Sequence, residues 1–431
     1  MNRLASILLW SVLAAAFIGP GTVTTAGSAG AGYGYALLWA LAFSTIACAV
    51  LQEAAARLTI GGGLDLGQAL RERYSHGPAR WLVLALVLGA VVLGCAAYEA
   101  GNILGGVAGA RLAVELPQRA WTAILGGVAG LLLWFNSPAR VARLLGLLVA
   151  VMGVAFLWSA WLLRPELSAL VAGTVRPTLP EGSTLLALGL VGTTVVPYNL
   201  FLGSGLASRA RLAETRFGII VAVGLGGLIS MGVLVVGAAL SGGFEFAALA
   251  DVLAQRLGEW AGTLVALGLL AAGLTSAVTA PLAAAITARG LARGGDTADW
   301  DDRSWRFRAV WAGVLLTGVA FGLSGVRPVP VILLAQALNG LLLPIVAIFL
   351  LLAVNDRRRM GQAINGALGN VLTAAVVSVS VVLGLNGLGK AVTRVLGVEA
   401  LAESELLGLG LVILALLTVP VCRGLLRARR P

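Results

Sequence analysis

The chain has 431 residues, of which 59% are hydrophobic and only 11% charged, with a mean hydropathy of +0.96. Soluble domains carry roughly 25% charged residues, so this composition excludes a soluble enzyme and predicts a polytopic membrane protein. A net charge of +11 would suit a nucleic-acid partner, but the basic residues sit in short loops between apolar runs, where they set topology, and no nucleic acid is expected.

Apolar runs near 20 residues read as spanning helices. Segment one covers about 5–32, followed by segments at about 34–59, 80–108, 119–136 and 141–163. Segment six covers about 184–208, followed by segments at about 216–241, 261–288, 308–325 and 329–354. Two more, at about 363–387 and 405–422, bring the expected number to about twelve. Apolar sequence continues past segment one without a cleavage site leading into a polar region, so it reads as a span rather than a signal peptide.

Segments one and six are each interrupted by proline. The first reads Gly19-Pro20-Gly21-Thr22, and the second Val196-Pro197-Tyr198-Asn199. Proline removes a backbone N–H and clashes with the carbonyl one turn back, so each helix must open there. Lipid cannot satisfy the freed groups, which survive only inside protein or beside a polar cavity. Five segments start with a broken helix and the next five start with another. Five is odd, so the second set is inverted relative to the first. The expected fold is therefore all-α, a LeuT-like inverted repeat of five plus five helices. Repeat one spans about 5–163, repeat two about 184–354, and extra helices about 363–422, in a single transmembrane domain.

The breaks are the candidate binding site. Gly21, Thr22 and Val23 would offer free N–H groups at a helix N-terminus, and Phe17 and Ile18 free carbonyls. Thr22, Thr24, Thr25, Thr193, Thr194, Tyr198 and Asn199 add neutral oxygens. Such a site holds a cation on carbonyls or an anion on amides. Ionisable residues inside spans default to functional candidates. Glu99, with Asn102 one turn on, is a candidate for ion or proton coupling, whereas Glu53 is expected to pair with Arg57 at i, i+4. Gln336 and Asn339 in segment ten either face the site or bond between helices.

With the N-terminus inside, the inner loops collect Arg71, Arg73, Arg140, Arg143, Arg209, Arg211, Arg357, Arg358 and Arg359, and the outer loops are poor in Lys and Arg. Both termini are thus expected in the cytoplasm, in a bacterial-type inner membrane. The long polar stretch 293–308 reads as a solvated linker. Cys48, Cys95 and Cys422 show no metal or redox spacing, and the lone histidine, His76, lies in a loop. A histidine metal site or relay within the membrane is excluded. The 58 glycines suit close helix packing. No catalytic motif is present, so the chain is expected to be no enzyme, to need no cofactor, and to be a monomer.

Several stretches in order resemble the Nramp family of divalent-metal transporters. GYALLWALAFSTIACAVLQEAAARLTI (34–60) resembles its second helix and VGTTVVPYNLFLGS (191–204) its sixth. ALGLLAAGLTSAVTAPLA (266–283) resembles helix eight, and LLAQALNGLLLPIVAIFLLLAVNDRRRMG (333–361) helix ten and its exit loop. The resemblance implies a fold and places functional residues. The family's Asp-Pro-Gly-Asn falls on Gly19 to Thr22, so its metal-binding aspartate is Gly19 and its asparagine Thr22. Its metal-binding methionine falls on Val196, its histidine on Tyr198, its helix-three acids on Glu99 and Asn102, and its helix-ten glutamine on Gln336. The substrate-binding set is then Gly19, Gly21, Thr22, Thr193, Val196, Tyr198, Asn199 and Gln336, with Thr22, Asn199 and Gln336 as metal ligands, directly or through water.

Without the thioether and the carboxylate, a dehydrated transition metal loses its preferred ligands. A hydrated, hard cation of the Mg2+ or Mn2+ type fits a neutral site better, because Mg2+ keeps its waters. The expected function is secondary transport of such an ion by alternating access, with atypical or absent proton coupling. The alternatives are a small anion or zwitterion bound at the helix N-terminus, or a non-transporting sensor.

Overall fold

The computed structural model describes residues 18–74, 79–135, 138–207, 211–292, 300–396 and 403–428. The first half of segment one, with Phe17, lies outside these residues, as do His76 and residues 293–299 of the polar stretch.

The second half of segment one is α1, Pro20–Tyr33, with proline at the first helical position and an extended Gly19 as its N-cap. It stops at Gly34, whose φ of 56° only glycine adopts easily. Then come α2, Leu38–Gly62, and the short α3, Leu66–Arg73. In α3 the Asp65 carboxylate caps the Gln68 amide while the Gln68 side chain caps Asp65 in return. The longest helix is α4, Ala79–Ala113, followed by α5, Gln118–Trp134, α6, Pro138–Leu162, and α7, Leu167–Val175. Segment six divides into α8, Thr184–Thr194, and α9, Pro197–Leu206. Beyond it lie α10, Leu212–Gly237, α11, Phe246–Leu257, α12, Trp260–Ala292, α13, Trp305–Leu323, and α14, Pro328–Ala353. The chain continues through α15, Arg357–Met360, α16, Ala367–Leu396, and α17, Glu403–Ala428.

Among the described residues ten helices, counting α8 with α9 as one, are long and apolar enough to cross a membrane. Of the other expected spans, α5 has 17 residues and α1 is the 14-residue half of a broken one. The loop helices α3, α7 and α11 were not expected. They are short or carry charges, so a reading tuned to long apolar runs passes over them. Yet α11 buries Phe246, Leu249 and Leu253, and α3 buries Leu66 and Leu70.

Glycine sets how closely the helices approach, as its abundance implied. A methyl group on Gly273 of α12 would stand 2.4 Å from the Gly106 Cα of α4. One on Gly237 of α10 would stand 2.5 Å from the Gly27 carbonyl oxygen of α1. In lipid, where apolar burial gives helices little reason to associate, such contact supplies the dispersion energy that holds them. Large apolar side chains such as Trp81, Leu93, Trp158 and Leu228 point outward, as a bilayer requires.

Candidate functional site

The two proline breaks meet. Thr22 Oγ1 of α1 and Thr193 Oγ1 of α8 lie 2.9 Å apart, a buried hydrogen bond across 171 residues of sequence. At the first break Ile18 and Gly19 are non-helical, and the first intrahelical bond runs from the Val23 N–H to the Gly19 carbonyl at 3.2 Å. This corrects the expected set of free amides, because the Val23 amide is committed to that bond. At the second break α8 stops at Thr194, Val195 and Val196 are non-helical, and Pro197 starts α9.

Three expected oxygens are also committed elsewhere. Thr24 donates to the Pro20 carbonyl at 2.8 Å, Thr25 to Gly21 at 2.8 Å, and Thr194 to Leu190 at 2.9 Å. A threonine hydroxyl in a helix can reach the carbonyl one turn back, which commits its proton locally.

Gln336 of α14 stands at the junction. A methyl group on Gly21 would fall 2.1 Å from its Nε2, and one on Gly189 of α8 would fall 3.6 Å from its Cβ. On α4, Gly94, Tyr98, Gly101 and Gly105 repeat at helical spacing and form one face. Gly105 abuts Pro20, Gly101 faces Gln336, and Gly94 faces Asn339. Tyr98 meets Tyr198 of α9 edge to face, with ring centroids 5.6 Å apart and planes at 81°. Sequence reasoning missed Tyr98 and this glycine face; the i, i+4, i+7 spacing beside Glu99 was the available signal. Asn339 uses its Nδ2 on the Ala335 carbonyl at 3.1 Å, within its own helix.

Several polar atoms here are buried and find no hydrogen-bond partner among the described residues. They are Gln336 Oε1, Tyr198 Oη, Asn339 Oδ1 and both side-chain polar atoms of Asn199. Native proteins rarely bury such atoms unpaired, and each carries a desolvation cost of about 1–3 kcal/mol. Gln336 stands against Gly21, and Tyr198 and Asn199 open α9 directly after the second break, so this unmet polarity borders both breaks.

Glu99 and Asn102 pair on α4, with the Glu99 side chain packed toward α13. Glu99 is fully buried, and a methyl group on Gly318 of α13 would stand 2.7 Å from its Cγ. At 100° per residue Glu99 lies about 130° round α4 from the face that meets Gln336. Its Oε2 accepts from Asn102 Nδ2 at 3.3 Å. The nearest arginine along α13, Arg308, is ten residues from Gly318, about 15 Å by helical rise. Glu53 behaves as expected: Arg57 Nε donates to it at 3.0 Å, and Arg216 of α10 joins at 2.7 Å.

The donor set at the breaks is neutral, and among the described residues no group of three His, Cys, Asp or Glu side chains could hold a metal ion. Two cavities flank the breaks. One of about 710 Å³ lies beyond the C-terminal part of α1, lined by Ser28, Gly32, Phe244, Val329 and Leu333. The other, about 200 Å³, lies at the far end of α9, lined by Asp65, Gln68, Leu202, Gly205, Arg289 and Gly290. The breaks thus sit between openings toward opposite ends of the helix bundle.

A family model described as Natural resistance-associated macrophage protein-like, Nramp, matches residues 11–390. The chain belongs to the Nramp family. It is 30% identical over 407 residues to the divalent metal cation transporter MntH of Verminephrobacter eiseniae, covering 88% of each chain. It is also 30% identical to the MntH of Deinococcus radiodurans, covering 90% of each. Among solved structures, the manganese transporter of Eremococcus coleocola superposes with a TM-score of 0.72 at 21% identity, over 99% of this chain and 94% of that one. The nucleobase-cation-symport transporter Mhp1 gives 0.59 at 15% identity, over 98% of this chain and 92% of that one. These likenesses bear out the LeuT-like, all-helical fold, and this Nramp chain is a multi-pass membrane transporter rather than an enzyme.

Proposed function

We propose that this Nramp chain moves a divalent cation by alternating access, holding it with part of its water shell between the breaks of α1 and of α8 and α9. The meeting of the two breaks through Thr22 and Thr193, with buried unpartnered oxygens on Gln336, Tyr198 and Asn199 of the bordering segments, carries this reading. Neutral oxygens suit a hard ion of the Mg2+ or Mn2+ type that retains waters, and Val196 offers no soft ligand. The names of the relatives support a divalent metal as cargo. In this reading Gly19 and Gly21 keep the backbone open, while Thr22, Thr193, Asn199 and Gln336 bind through oxygen or through water. Glu99 and Asn102 form a separate polar pair, so proton coupling is atypical or absent. The reading also includes two repeats, about 5–163 and 184–354, a plasma-membrane location, cytoplasmic termini and a monomer.

Calorimetry on the purified protein is expected to show saturable Mg2+ or Mn2+ binding, weakened about tenfold by Thr22→Ala, the equivalent of losing one hydrogen-bonding ligand. A correctly folded protein that binds no divalent ion would sink the proposal. Gly21→Ala gives a second check. Its methyl group would displace the Gln336 amide, the mobile end of a flexible side chain, so binding should fall while the unfolding temperature stays near wild type.

A small anion or zwitterion is the second reading, favoured by the N-terminus of α1, which opens at the first break with Pro20 in its first turn. A metabolite that raises thermal stability in chelator, with no metal added, would select it.

A further inference from the structure

A cleft of about 620 Å³ opens between α2, α10 and the start of α16, away from the breaks. Its walls are apolar: Ala49 and Val50 of α2, Ile219 and Ile220 of α10, Leu368 and Leu372 of α16. At its mouth Ile220 is 66% exposed and Leu368 72% exposed, so in a membrane this mouth faces hydrocarbon.

One end of the cleft is charged. Glu53 accepts from two guanidinium groups, Arg57 and Arg216. Arg57 is consumed by the protein, for its other nitrogens donate to the Ala363 carbonyl at 2.7 Å and to Asn365 Oδ1 at 2.6 Å. Arg216 is different. Its side chain is 51% exposed, and its Nε and Nη2 both donate to the same Glu53 oxygen. Two cations on one carboxylate leave an excess of one positive charge, held at the end of α10 one turn from its first residue.

We propose that this cleft binds an anionic phospholipid, its phosphodiester on Arg216 and one acyl chain along Val50, Ile220 and Leu372. The charge excess selects an anion, and the apolar wall leading from it selects an anion that carries a hydrocarbon chain. A free phosphate would leave that wall unused, and a zwitterionic lipid would bring its own cation to a site already in positive excess. Basic pockets between membrane helices hold acidic headgroups by this combination, each Arg near the surface contributing about 1 kcal/mol.

The test uses the full chain in detergent. Native mass spectrometry with added phosphatidylglycerol should show a retained lipid, and phosphatidylcholine should be retained far less. Arg216→Gln should lower phosphatidylglycerol retention about fivefold, the factor set by one such arginine. Val50→Trp, on the partly exposed wall, should lower it with the charges intact. Glycerol phosphate, which has the anion but no chain, should leave the unfolding temperature unchanged where phosphatidylglycerol raises it. Equal retention of the two lipids, equal retention by wild type and Arg216→Gln, or a matching shift from glycerol phosphate would each overturn the proposal. Should Arg216→Gln fail to fold, the wild-type lipid comparison and Val50→Trp still decide.

Discussion

Gly192→Val is expected to destabilise the protein by about 3 kcal/mol or more, at the top of the range for overpacking a close contact. A methyl group at Gly192 of α8 would stand 2.0 Å from the Gln336 carbonyl oxygen and 2.4 Å from the Gly340 nitrogen of α14. Both are backbone atoms of a helix and cannot rotate aside. Across the same interface, a methyl group on Gly340 would stand 2.4 Å from the Leu188 carbonyl oxygen. The two helices touch backbone to backbone, and the contact lies beside the Gln336 end of the site. Separating them should therefore abolish ion binding as well as lower the unfolding temperature. Gly224→Val is the control, because nothing lies within 4 Å of a methyl group there. Thermal unfolding in detergent should place Gly224→Val near wild type and Gly192→Val far below it. Similar values for the two would refute the packing argument.

The second large effect is expected for Arg57→Ala, a loss of about 3 kcal/mol, the low end for breaking a buried ion pair. Arg57 is 6% exposed and ties α2 to the loop before α16. Its removal takes a donor from the Ala363 carbonyl and from Asn365 Oδ1. Asn365 is in turn bonded to Asn370 at 2.6 Å, and Asn370 to Asn355 at 3.0 Å, so the loss spreads through a buried amide network. Glu53 keeps Arg216, which is why the low end applies. A Glu53→Ala, Arg57→Ala double variant should lose less than the sum of the single losses. Strict additivity in equilibrium unfolding would show that the pair is uncoupled.

Much of this was legible from residue pattern. Long apolar runs have one solution in lipid, so the helices and their order followed from segment length. The prolines of Gly19-Pro20-Gly21-Thr22 and Val196-Pro197 located the breaks, because proline is incompatible with a continuous helix wherever it falls. The Glu53–Arg57 pair followed from its i, i+4 spacing. What the sequence left open has a common cause. Thr24, Thr25 and Thr194 offer oxygens near the breaks, and each hydroxyl gives its proton to its own helix. Glu99 is a coupling candidate by its place inside a span, but its packing on Gly318 is not visible in the sequence. A polar residue in a helix has many azimuths and a local alternative partner, and nothing in a single segment chooses among them.

The sequence by itself determined that this chain spans a membrane many times, where two of its helices break, and that the breaks carry neither acid nor thioether. Only the tertiary structure decided that Thr22 and Thr193 meet at 2.9 Å, that Gln336 sits against Gly21, and that Arg216 joins Glu53 across 163 residues. The physical reason is range. Hydropathy and proline act along the chain, within a turn or a span. Which helix faces meet depends on how closely backbones can approach, and that depends on pairs such as Gly192 with Gly340 and Gly105 with Pro20, which become neighbours only when the bundle closes.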